Sequence, residues 1–76
     1  MERQVFDFTG LKCPMPVLKA RRALKSMTTG QLAEIITDDP AAPLDFQHFC
    51  ETSGHKLEQQ SEQAGSFTFL IRKSIY

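Results

Sequence analysis

The spacing of apolar residues changes repeatedly along this chain, and this change limits the folds that the chain can adopt. Residues 3–8, RQVFDF, have one phenylalanine on each side of an aspartate, and this alternation predicts a short strand. Residues 14–27 instead carry apolar side chains at the spacing of one helix face, namely Val17, Ala20, Leu24 and Met27. The sequence therefore predicts a strand followed by a helix, which Thr28-Thr29-Gly30 ends.

The next segment returns to a strand pattern and leads into a second helix. Residues 31–37, QLAEIIT, are apolar and β-branched enough to predict a strand. The sequence Asp38-Asp39-Pro40 is typical of a turn or of a helix N-cap, because carboxylates suit free N–H groups. A helix over residues 42–53 follows, and one face of it is formed by Phe46, Phe49, Cys50 and Ser53. Gly54 is a natural end for this helix.

The last part of the chain predicts a pair of strands. Residues 55–61, HKLEQQS, form a weaker and more polar strand pattern, and Gln63-Ala64-Gly65 suggests a hairpin turn. Residues 67–73, FTFLIRK, are the most strongly β-prone stretch of the chain. We therefore predict one α+β domain over residues 1–76, a two-layer α/β sandwich of order β-α-β-α-β-β. Its two helices pack on one face of a four-stranded mixed sheet.

Charge is unevenly distributed, although the net charge of the chain is zero. Residues 1–30 contain six Lys and Arg residues and two acidic residues. Residues 31–66 contain one Lys and seven acidic residues, and the last ten residues add two cations. A neutral chain makes a poor general binder of nucleic acid, because phosphate contacts need a surplus of positive charge. The distribution still permits a local basic surface on the first helix.

The sequence also indicates a compartment. Its first ten residues contain no apolar run of the kind found in a signal peptide, and no stretch approaches the ~20 apolar residues of a membrane span. We expect a cytoplasmic protein without membrane contact. In that reducing compartment the two cysteines are expected to be free thiols.

Cys13 lies at the junction between the first loop and the first helix. Unpaired N–H groups give a helix N-terminus a partial positive charge, and Lys12 adds a neighbouring cation. Such surroundings lower the pKa of a thiol and favour a nucleophilic sulfur. Pro14 and Pro16 suit a first helical turn and would stiffen the junction. The alternative is an inert, buried cysteine, which is common in small domains.

Residues 10–16, GLKCPMP, resemble the G-x-x-C-P-x-P signature of the TusA/SirA/YedF family of small sulfur-carrier proteins. Asp7 matches the acidic residue that the family usually has before this loop. Residues 17–24 resemble its first helix, residues 38–40 the turn into the second, and residues 49–55 the end of that helix. The resemblance spans nearly the whole chain, and it implies the same β-α-β-α-β-β sandwich.

The resemblance implies that Cys13 accepts sulfane sulfur as a persulfide from a cysteine desulfurase or a rhodanese-like donor. The sulfur then passes to an acceptor protein, for tRNA thiolation, cofactor sulfuration or oxidation of reduced sulfur. Such a carrier needs no metal, nucleotide or other cofactor. We expect it to act as a monomer, because a shuttle needs an open site.

Other residues are assigned to support this site. Asp7, Gly10, Pro14 and Pro16 are expected to shape the loop and the helix start, with Asp7 accepting hydrogen bonds from loop N–H groups. The residues expected to dock a partner are the cations Lys12, Lys19, Arg21, Arg22 and Lys25.

The remaining candidates are predicted to be structural. Cys50 is expected in the core, Asp38 and Asp39 are expected to cap rather than to catalyse, and His55 is expected to serve the helix end. No metal site is predicted, since zinc-type spacings are missing and His48 points away from Cys50.

Two other functions stay open at this point. The chain could be a regulatory or nucleic-acid-binding module that uses the basic first helix, although stacking aromatics near that helix are lacking. It could also be a redox sensor in which Cys13 forms a sulfenic acid or a mixed disulfide.

Overall fold

The chain forms the predicted succession of strands and helices. The computed structural model describes residues 3–74, and its elements are β1 (Arg3–Asp7), α1 (Met15–Lys25), β2 (Leu32–Thr37), α2 (Ala42–Ser53), β3 (Lys56–Gln63) and β4 (Ser66–Arg72). The bounds of α2 are those predicted, and the other bounds differ by at most two residues. Neither helix within residues 3–74 combines the length and the apolar character needed to cross a membrane.

The four strands form one mixed sheet in the order β1-β2-β4-β3. The connection through α1 returns the chain parallel to its start, so β1 and β2 pair in parallel. Strand β4 pairs antiparallel with both β2 and β3. Ala64 and Gly65 join β3 to β4 and both have positive φ, as a tight hairpin turn requires. Strands β1 and β3 are therefore the two edges of the sheet.

The core lies between the two helices and one face of the sheet. Burial alternates along β2, where Ala33, Ile35 and Thr37 face the helices. The ring of Phe46 from α2 stacks on the ring of Phe69 from β4, with centroids 4.7 Å apart. The two-layer sandwich with both helices on one face of the sheet is confirmed.

His55 connects the end of α2 to the segment after β4. The His55 ring is buried, and its Nδ1 accepts a hydrogen bond of 3.0 Å from the Ser74 backbone N–H. Burial lowers the pKa of His55, which favours the neutral ring that this hydrogen bond needs. At the end of α2, the His55 N–H donates to the hydroxyl of Ser53 over 3.4 Å, and the His55 ring lies 5.7 Å from the Phe49 ring, which agrees with the predicted role at the helix end. Gly54 ends that helix in the left-handed conformation and donates its N–H to the Cys50 carbonyl.

Candidate functional site

The loop from β1 to α1 carries Cys13 on the surface. Asp7 accepts hydrogen bonds from the backbone N–H and the hydroxyl of Thr9, which tighten the turn after β1. These bonds lower the pKa of the Asp7 carboxyl. Gly10 then adopts a φ of 91°, which a side chain would strain. The Cys13 side chain is exposed, its peptide bond to Pro14 is cis, and α1 begins two residues later.

Two aspartates from the turn after β2 fix this loop from the other side. The Gly10 N–H donates to Asp38 Oδ1 over 3.0 Å, and the Cys13 N–H donates to Asp39 Oδ2 over 2.6 Å. The other oxygen of Asp39, Oδ1, accepts the Ala41 N–H. Neither aspartate is the N-cap of α2, which is Ala41 without a side-chain hydrogen bond. Neither aspartate is therefore the predicted N-cap, but Asp39 accepts an N–H at the start of α2 while its other oxygen holds the Cys13 loop.

The thiol of Cys13 faces carboxylates rather than cations. A hydrogen bond with Asp45 raises the pKa of the Cys13 thiol, and the negative charges of Asp45 and Asp39 act in the same direction. The sequence predicted a lowered pKa from the helix N-terminus and Lys12, and that prediction is wrong. The N-cap of α1 is Pro14, which has no N–H to offer, and the Met15 N–H donates to the Lys12 carbonyl. Asp45 therefore favours the protonated form of the Cys13 thiol.

Cys13, Asp39 and Asp45 bring one ligand atom each within 4.8 Å of the other two. A thiolate and two carboxylates give three donors, whereas a structural zinc site takes four. Both oxygens of Asp39 already accept backbone hydrogen bonds. We therefore assign this group to the placement of the thiol. Sequence analysis missed the group because its members come from three different segments.

A groove between the two helices leads away from the thiol. We call it the Cys13 groove; its volume is about 510 Å³, and it is lined by Cys13, Pro14, Val17, Arg21, Leu44, Asp45, His48, Phe49 and Thr52. The guanidinium of Arg21 lies 6.0 Å from the centroid of the Phe49 ring. Because the groove is open, the chain of another protein can approach the Cys13 sulfur along it.

Four of the five predicted docking cations line grooves beside α1, and Arg21 lines both grooves. Arg21 borders the Cys13 groove, and Lys12 lies in the loop before the thiol. Lys19, Arg22 and Lys25 border a second groove of about 660 Å³ between α1 and the end of β1, which Arg21 also borders. We call this second groove the β1 groove; its lining includes Phe6, Phe8, Met15 and Leu18. The structure thus distributes the basic residues over two sides of α1.

Cys50 has the opposite character from Cys13. Its side chain lies in the core beside Phe46 and Phe49. Burial raises the pKa of Cys50 to about 11. A buried and protonated thiol is a poor nucleophile, so the structural role predicted for Cys50 agrees with its surroundings.

Comparison with known proteins gives one consistent result. The profile of a family described as Sulfurtransferase TusA matches residues 4–73. The chain is 41% identical over 71 residues to the sulfur carrier protein TusA of Allochromatium vinosum, covering 93% of both chains. It is 42% identical over 69 residues to the protein of the same name from Pseudomonas putida, covering 91% of this chain and 86% of that one.

A solved structure shares the fold. The SirA-like protein of Desulfitobacterium hafniense superposes with a TM-score of 0.78 at 24% identity, covering 92% of this chain and 96% of that one. At this identity the likeness concerns the fold.

Proposed function

This chain belongs to the TusA family, and on that premise we propose that it carries sulfane sulfur as a persulfide on Cys13. The observation that carries the proposal is the contrast between its two thiols. Cys13 is exposed on a loop held by carboxylates from a second turn, and it opens into the Cys13 groove. Cys50 is enclosed in the core.

Loading is an exchange of sulfur between two thiols. The thiol proton of Cys13 leaves, with the Asp45 carboxylate within 4.8 Å as an acceptor, and Cys13 Sγ attacks the terminal sulfur of the donor's persulfide. A new S–S bond forms on Cys13, the donor's S–S bond breaks, and its electron pair leaves on the donor's cysteine sulfur. The reverse exchange with an acceptor thiol returns Cys13 to its starting state, and neither step needs an external oxidant or reductant.

The partners are a sulfur donor and a sulfur acceptor. The proposed donor is a cysteine desulfurase or a rhodanese-like protein, and the acceptor serves tRNA thiolation, cofactor sulfuration or oxidation of reduced sulfur. We propose that Lys12, Lys19, Arg21, Arg22 and Lys25 attract acidic surfaces of these partners. Asp7, Gly10, Pro14 and Pro16 maintain the loop that presents the thiol. We place the carrier in the cytoplasm as a monomer without a cofactor.

Intact-mass spectrometry tests the proposal. The reduced protein is mixed with a cysteine desulfurase and free cysteine, without other reductant, and we expect a gain of about 32 Da that dithiothreitol reverses. Reversal is essential, because a sulfinic acid adds nearly the same mass and thiols do not reduce it. No gain with several donors, or only the oxygen-dependent gain of a sulfenic acid, would favour the redox-sensing function instead.

A further inference from the structure

The β1 groove is an apolar surface whose lining does not include Cys13, although its cations are among those proposed above to attract sulfur-transfer partners. The rings of Phe6 and Phe8 are only partly buried against the core. Opposite them on α1, the side chains of Met15 and Leu18 are 41% and 48% exposed. Isolated exposed apolar residues are ordinary, but a groove of about 660 Å³ lined by these four partly buried or exposed apolar side chains is typical of a binding surface.

The groove lies beside a sheet edge that is open to pairing. Within residues 3–74, β1 pairs only with β2, so its outer backbone groups have no strand beside them. Val5 in the middle of β1 is 57% exposed. Both edges carry polar side chains, but β3 has an irregular register between Leu57 and Gln59, whereas the register of β1 with β2 is unbroken. Such an irregularity discourages strand pairing, so β1 is the edge suited to it.

The charge around the β1 groove has one sign. Lys19, Arg22 and Lys25 stand along its helical side. The ion pairs found in the described residues join Arg3 to Glu34 and Arg72 to Glu58, and none involves these three cations. Their charge is therefore available to carboxylates of a binding partner.

From these three observations we propose that the β1 groove binds an extended, acidic segment of a partner protein. The segment adds a strand to the free edge of β1, places an apolar side chain between Phe6 and Leu18, and directs its carboxylates to Arg22 and its neighbours. This binding does not depend on persulfide formation at Cys13.

Two other occupants fit the surface less well. A second copy of this chain paired edge to edge would bring like cations of the two α1 helices close together, which is unfavourable. Nucleic acid would satisfy the cations, but it would leave the apolar lining unfilled, and the neutral chain lacks the charge surplus of a phosphate binder.

The test is a nuclear magnetic resonance titration of the full, reduced chain in the absence of any sulfur donor. The probe is a short synthetic peptide in which glutamate alternates with leucine and valine, and the comparison peptide carries lysine for glutamate. We expect saturable shifts of the amides of β1 and α1 with the acidic peptide only, weaker at high salt. Amide hydrogen exchange in β1 should slow on binding, because strand addition forms new backbone hydrogen bonds.

Matched variants locate the site. Arg22→Glu should weaken peptide binding several-fold, and Leu18→Asp should weaken it similarly, since both side chains are exposed and neither is in the core. Lys56→Glu, at the opposite edge of the sheet, should leave binding unchanged. Because sulfur loading is measured separately, failure here and failure of the persulfide proposal are distinguishable.

Each other outcome would overturn the inference. No saturable binding, equal binding of the lysine peptide, or shifts confined to β3 or to the Cys13 groove would contradict the site. Chemical-shift changes without slower amide hydrogen exchange in β1 would contradict the extended conformation proposed for the bound segment. Tighter binding of a short RNA at the same amides would assign the surface to nucleic acid, and concentration-dependent shifts without peptide would assign it to a second copy.

Discussion

We expect the Cys13→Ser protein to fold normally and to take up no sulfur from a persulfide donor. The Cys13 side chain is exposed and outside the core, so the free energy of unfolding should change by no more than about 0.5 kcal/mol. A serine hydroxyl does not form a stable bond to sulfane sulfur under these conditions, so the mass gain seen with the native chain should be lost. Urea unfolding and intact-mass spectrometry of the same sample measure both quantities.

Cys50→Ala is the matched control for this experiment. It removes the other thiol, and the native pKa of Cys50, about 11, already makes that thiol unreactive at neutral pH. This variant should lose some stability, because Cys50 is in the core, and should still load sulfur. Loading of the Cys13→Ser protein equal to that of the native chain would reject Cys13 as the carrier.

The second large effect concerns Asp45. Asp45→Asn removes the carboxylate that favours the protonated form of the Cys13 thiol, so the pKa of that thiol should fall toward its ordinary value. At pH 7 the thiolate fraction then rises, and alkylation by iodoacetamide should become several-fold faster. The increase in the alkylation rate should be smaller than the increase in the thiolate fraction, because a less basic thiolate is also a weaker nucleophile.

The pH profile of alkylation separates this effect from a loss of structure. In the native chain the rate should rise with pH through a midpoint above that of an ordinary thiol, and in Asp45→Asn the midpoint should move down. The control is Glu51→Gln, which removes an exposed carboxylate from the same helix outside the site. An unchanged midpoint in Asp45→Asn, or an equal change in Glu51→Gln, would contradict the role given to Asp45.

The order of elements could be predicted because local signals agree with it. Three signals each determine structure over a few residues: the helical spacing from Val17 to Met27, the glycine after α2, and the Ala64-Gly65 turn. Tertiary packing reinforces them. The alternation of buried residues on β2 likewise follows from the pleat of one strand. These signals were sufficient to give a two-layer sandwich with a mixed sheet.

The electrostatics of the site could not be predicted from local sequence. Reasoning from the start of α1 considered Lys12 and the helix N-terminus, which favour a thiolate. The structure instead brings Asp39 and Asp45 to Cys13 from the turn after β2 and from α2. A hydrogen bond with Asp45, then desolvation, then the charges of both aspartates raise the pKa of the Cys13 thiol. Asp39 looked like a local cap because its hydrogen bond to Cys13 spans 26 positions in the chain.

The most direct test of sulfur carriage is to locate the added sulfur within the loaded chain. After loading, the persulfide is alkylated to retain its sulfur, and trypsin then separates Cys13, in the peptide of residues 13–19, from Cys50, in the peptide of residues 26–56. Mass spectrometry should place an additional mass of about 32 Da on the first peptide and none on the second. Added sulfur on the peptide with Cys50, or on neither peptide, would contradict the proposal that Cys13 is the carrier.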